Sequence, residues 1–136
     1  MRTAMLTAAM VLAVPTIVSA QDKCYDEAQD QAAMNQCADA AFKKSDKKLN
    51  ELYKQIETRL SDDADTKKLL VDAQRNWVKF RDTECSFQAA GVAGGSAMPM
   101  IATQCMDGLT QDRIEDFEGY LNCEEGDMAC PVPAAD

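Results

Sequence analysis

Histidine is absent from all 136 residues, and aromatic side chains make up only 6% of them. Without histidine there is no imidazole base for a serine or cysteine hydrolase, no His-ligated zinc and no haem held by a proximal His. Positive charge is also scarce: 14 Lys+Arg stand against 23 Asp+Glu, a formal charge of −9. That balance argues against nucleic acid, whose phosphates call for Lys and Arg, and against anionic membrane surfaces. An acidic surface suits a basic partner, or simply solubility. No nucleophile–base pair, convergent carboxylate pair or metal cluster is visible in the sequence. No catalytic residue, metal site or cofactor is therefore assigned, and the chain is not expected to be an enzyme. The length fits one domain.

What is present begins with an address. Arg2 precedes an apolar run from Ala4 to Val14, and Val18-Ser19-Ala20 sets small residues at −3 and −1 before Gln21. This is the pattern of a secretory signal over residues 1–20. A spanning helix needs roughly 20 apolar residues, and Pro15 interrupts this run well short of that. No cysteine stands at the cleavage point, so no lipid attachment is expected. Loss of Arg2 with the leader leaves 13 positive and 23 negative residues, a charge of −10. The expected product is periplasmic or secreted, soluble and without a membrane anchor.

Six cysteines follow the leader: Cys24, Cys37, Cys85, Cys105, Cys123 and Cys130. An even number in a small exported chain reads as three disulfides, and the absence of C-x-x-C and of histidine disfavours zinc. Local geometry favours Cys123 with Cys130 in a Gly-containing tail, and Cys85 with Cys105 across one loop. Cys24 and Cys37 remain as the third pair. Crossed pairings such as Cys37 with Cys85 stay open, since six cysteines allow about fifteen connectivities.

Apolar residues recur at steps of three and four in three segments, the period of an amphipathic helix. The first runs from about Gln31 to Leu60, with Asp30 as N-cap and Met34, Ala38, Phe42, Leu49, Leu52, Ile56 and Leu60 on its apolar face. The second starts after Asp63 or Asp65 and runs to about Phe87, with Leu69, Leu70, Ala73, Trp77, Phe80 and Cys85 assigned to the core. The third runs from about Met98 to Leu121, with Ile101, Cys105, Leu109, Ile114, Phe117 and Leu121 inward; Ser96 is a candidate N-cap, and Gly108 marks a possible close approach. Strict alternation is not sustained anywhere, so no sheet is predicted. The expectation is all-α: a small antiparallel three-helix bundle over residues 21–121, stapled by disulfides, with an irregular tail over 122–136.

Polar residues fall in register with these faces. Asp46, Asn50 and Tyr53 share one side of the first helix; Gln74, Trp77 and Arg81 share one side of the second; Arg113 lies near the core face of the third. Such a layer fixes helix register, and a buried Asp between arginines needs complete pairing, because breaking the pair costs about 3 to 5 kcal/mol. Asp46 is expected near mid-bundle, meeting Arg81 or Arg113. The glycine-rich connection from Gln88 to Ala97 is long for a bundle, and Met98 and Met100 flank it.

Cys37-Ala38, Asp46, Leu49-Asn50, Tyr53, Gln74, Trp77, Arg81-Asp82, Cys85, Gly94-Gly95-Ser96, Cys105, Leu109-Thr110 and Arg113 occur in an order and spacing that resembles the LprI-like lysozyme-inhibitor N-terminal domain family of exported bacterial proteins. The resemblance covers about Cys24 to Leu121. It implies a disulfide-bonded helical domain and inhibition of a lysozyme. A cationic lysozyme with two cleft carboxylates would be steered to an acidic inhibitor. The protruding segment for such a cleft would be the Gln88 to Met100 loop, with Gly94, Gly95, Ser96, Met98 and Met100 as candidate contacts and Arg113 or the lysines of 43–48 as donors to the carboxylates. The alternative is a periplasmic interaction module for an envelope protein. Oligomeric state is left open by the sequence.

Overall fold

The computed structural model describes residues 20–134 apart from Glu125; the signal reading lies on residues almost wholly outside this range. Four α-helices make up the described chain: α1 (Ala20–Glu27), α2 (Gln31–Arg59), α3 (Ala64–Gln88) and α4 (Met98–Leu121). A short 3-10 helix, Ala89–Val92, follows α3 directly. No strand occurs among the described residues. The fold is all-α.

Local chemistry sets the helix ends. Asp30 caps α2 by accepting from the Ala33 amide at 2.8 Å, and Asp63 caps α3 by accepting from the Thr66 amide at 3.0 Å. These bonds satisfy amides that a helix N-terminus leaves without an internal partner. At α4 the expected Ser96 cap does not form. Ala97 is the N-cap residue and makes no side-chain cap bond; Pro99 sits in the first turn, where its missing N–H costs nothing. The Ser96 carbonyl instead accepts from the Asn35 side chain of α2.

Helices α2 and α4 run parallel and share the most extensive interface. Helix α3 runs antiparallel to both, as the pairs Cys85–Cys105, Arg81–Thr110 and Asp46–Arg81 show. The backbones of α2 and α3 do not pack closely despite their short connection. Long side chains span the gap, Arg81 to Asp46 at 3.4 Å and Lys67 to Glu57 at 3.8 Å. Leu49, Leu52, Ile56, Leu60, Phe117 and Leu121 form the core, with Tyr53, Leu70, Trp77 and Ile114 packed against it. Phe117 has no exposed surface, and burying such a ring stabilises by about 1.5–3 kcal/mol.

Three features differ from the expected bundle. Helix α1 is an additional element, tied to α2 by Cys24–Cys37 and to α4 by a 2.8 Å bond from Gln104 to the Tyr25 hydroxyl. Leu69, Ala73 and Phe80 are exposed, not in the core. The inward face of α3 is rotated toward Leu70, Gln74, Trp77, Arg81 and Cys85, so polar residues take positions that hydrophobicity alone gives to Leu69 and Phe80. Gly108 is exposed, and a Cβ there would meet nothing within 4 Å, so it marks no close approach. The tail is irregular yet not detached: Cys123 bonds to Cys130, and Val132 is buried in the core.

Candidate functional site

Two groups of residues compete for a functional role: the polar layer inside the bundle and the connection at the α3–α4 end. The layer assembles around Arg81, whose side chain is only 9% exposed. Its guanidinium lies 2.9 Å from Asp82 and 3.4 Å from Asp46, over the rings of Phe42 at 5.1 Å and Trp77 at 5.2 Å. Arg113 continues the stack over Phe117 at 4.6 Å and Trp77 at 6.0 Å, and donates to Gln74 at 3.3 Å and Asp116 at 3.1 Å. Asn50 donates to Asp46, and Tyr53 packs 6.3 Å from Phe117. The structure thus brings Asp46, Asn50, Gln74, Trp77, Arg81 and Arg113 into one cross-helix network with Tyr53 beside it.

Asp46 meets Arg81, one of its two expected partners, but its side chain is 41% exposed, at the rim and not buried in mid-bundle. Solvent therefore screens part of the pair, and the buried partner carries most of the energetic stake. Burial holds the Tyr53 hydroxyl above its ordinary pKa, and the neighbouring Glu57 carboxylate adds to the shift. The Arg113 side chain is 13% exposed and bonds to Gln74 and Asp116.

A second polar pair was not apparent from residue type. Asp107 is buried in α4 and accepts from the Ser45 hydroxyl and, at 2.8 Å, from the Gln111 amide. The available signal was position: Ser45 stands seven residues after Ala38 and four before Leu49, in the apolar register of α2. A cleft of about 500 Å³ lies beside this pair, lined by Cys24, Cys37, Ala41 and Ile114 among others. Among the described residues, no group of three or more His, Cys, Asp or Glu is placed to hold a metal ion. None of them is a buried polar side-chain atom without a hydrogen-bond partner.

The α3–α4 end has a different character. Cys85–Cys105 joins the last turns of α3 to the second turn of α4, with Cα atoms 5.4 Å apart. The connection between them folds on itself through bonds from Ala93 to Ala90, Gly95 to Val92 and Met98 to Gly95. Gly94 has φ +77°, a left-handed conformation that glycine adopts without the steric cost of a side chain. A Cβ on Gly95 would come 3.1 Å from the Val92 carbonyl. Asn35 and Gln31 of α2 tie the far side, bonding to the Ser96 carbonyl and the Met100 sulfur. Gly94, Gly95, Ser96 and Met98 are exposed, and Met100 is half-buried.

Beside them stands Phe87, 75% exposed, with Val92 and Met98 also at the surface. From Ser86 to Met106 there is no charged residue, whereas charged residues make up 27% of the chain. This charge-free interval is legible in the sequence, but periodicity does not reveal it. It gives the α3–α4 connection, the tip, an uncharged, partly apolar surface on a cross-linked base, with Asp30 and the charged α1 at the same end of the bundle. Most of the net negative charge lies further on: residues 107–136 hold nine acidic residues and one basic.

The family model described as "Lysozyme inhibitor LprI" matches residues 22–117. The chain belongs to the LprI family of lysozyme inhibitors. The LprI match spans α1, α2, α3, the tip and all of α4 but its last turn. An uncharacterized protein of Rhizobium meliloti (strain 1021) is 28% identical over 112 residues, covering 73% of this chain and 79% of its own. No solved structure matches the chain. Among the described residues, no helix is long and apolar enough to cross a membrane.

Proposed function

We propose that this LprI-family chain is an exported, non-enzymatic inhibitor that binds a lysozyme by seating the tip over residues 86–106 in the substrate cleft. The signal-like segment at residues 1–20 and the three disulfides support export to an oxidising compartment, the periplasm or the medium. The domain would then be residues 21–121, with the tail closing its base. Family membership carries the lysozyme reading. The tip carries the choice of surface: its side chains are uncharged, with Phe87, Val92 and Met98 exposed, so no charge of its own would have to be stripped of water on docking. Phe87 supplies the kind of exposed aromatic that anchors interfaces.

Charge placement refines the picture of steering. Helix α4 is about 36 Å long at 1.5 Å per residue, and its acidic half points away from the tip. At physiological salt the screening length is about 8 Å. Negative charge at that distance speeds encounter at low salt but adds little to a complex formed at the tip. A cationic lysozyme remains the expected target, with inhibition only weakly salt-dependent.

The test is a titration of cell-wall lysis by several lysozyme types with the oxidised protein. Slowing of at least one type at micromolar inhibitor supports the reading. No effect on any type at those levels removes it, and recovery of an envelope protein by pull-down would then favour an interaction module.

A further inference from the structure

Leu69 and Phe80 are 68% and 52% exposed on α3, and apolar side chains exposed together on one face, unlike single ones, mark contact surfaces. They are eleven residues apart, which returns to nearly the same azimuth on a helix of 3.6 residues per turn. They therefore form one stripe, with Ala73 and Asn76 between them, outside the bundle. Charges line one side of the stripe. Asp72 and Lys79 lie there at about 60° and 80° of azimuth from Leu69, an acid and a base on the same flank.

The order of these charges is self-complementary. If a second α3 lies antiparallel across the first, with a two-fold axis near Arg75, residues whose numbers add to about 150 face each other. Leu69 then meets Phe80 of the other copy. Asp72 meets Lys79 on the same flank, as a two-fold antiparallel helix pair requires. In the single chain Lys68 and Asp72 pair only with one another, at 3.1 Å, with side chains 77% and 49% exposed. Such an exposed pair holds its partners weakly and exchanges them at little cost.

The geometry points to α3 as a self-association face: two copies of this chain pair through antiparallel α3 helices, Leu69 against Phe80 and Asp72 against Lys79. Phe87 of the tip continues the same stripe seven residues beyond Phe80, but the pairing does not depend on the lysozyme reading. An interface made by one helix per partner falls at the small end of stable interfaces, so the dimer is a weak one that forms at micromolar concentrations.

Sedimentation equilibrium of the oxidised protein, from about 1 to 500 µM, reads it directly. The expected mass rises with concentration toward twice that of the chain. Phe80→Asp keeps it monomeric throughout. Asp72→Lys weakens association about tenfold, and Asp72→Lys with Lys79→Asp restores it to within about threefold, a pattern that general loss of stability would not produce. Thermal melts check that the variants fold, which is expected because all three positions face solvent. A wild-type protein monomeric across the range overturns the proposal. So does self-association that Phe80→Asp leaves unchanged, or a double variant no better than Asp72→Lys.

Discussion

Replacing Arg81 by alanine removes an ion pair to Asp82, a second to Asp46 and the cation that sits over Phe42 and Trp77. The guanidinium is nearly enclosed, and its alkyl stem packs between helices that do not touch along their backbones. The expected loss of stability is about 2–4 kcal/mol, read from urea unfolding. Asp46→Ala should cost under about 1 kcal/mol, because that carboxylate is half in water and Arg81 keeps Asp82. Equal losses from the two variants would mean that the pair, not the arginine, organises the layer. Residue type alone pointed to this network, since polar groups in an apolar register call for partners. It did not indicate how wet each one would be. That depends on the rotation of α3, to which Leu69 and Phe80 are a false guide.

Helix caps and the cross-link act at the level of the element. Accepting the Thr66 amide holds the Asp63 carboxyl below its ordinary pKa. A lowered folded pKa means that the cap contributes fully above the ordinary carboxylate range and fades as pH falls through the lowered value. Wild-type stability should therefore decline more steeply below about pH 4 than that of Asp63→Asn, whose cap does not titrate. Parallel unfolding curves at pH 3 and pH 6 would contradict this. Removing both Cys85 and Cys105 opens a loop whose ends lie 20 residues apart. That loss should cost about 3 kcal/mol and speed amide exchange over the tip, measured by unfolding and by hydrogen exchange. The limits of α2, α3 and α4 were legible because capping aspartates, proline and three-four periodicity agree there. Helix α1 was not, since eight mostly polar residues carry no periodic stripe and are held by a disulfide and one side-chain bond.

Across the whole molecule, charge is sorted along the chain. The acidic excess gathers after residue 106, and the interval before it is uncharged. The resulting polarity separates two effects that an overall charge of −9 merges. Long-range attraction of a cationic partner belongs to the acidic half, and short-range fit belongs to the tip. Val92→Asp and Met98→Asp together should weaken inhibition at least tenfold, because docking would bury an unpaired charge, with little change in thermal stability at these exposed positions. Inhibition by the unaltered chain should change less than about threefold between 50 and 200 mM salt. The tip as a loop was legible from its glycines; its likeness to a docking surface emerged only once Phe87, Val92 and Met98 were seen at the same end of the bundle.

Hydrogen exchange of the chain with and without a cationic lysozyme tests the central claim most directly. New protection confined to residues 86–106, with α2 and the tail unchanged, is the predicted result. Protection centred on residues 107–136 with the tip unaltered would contradict it.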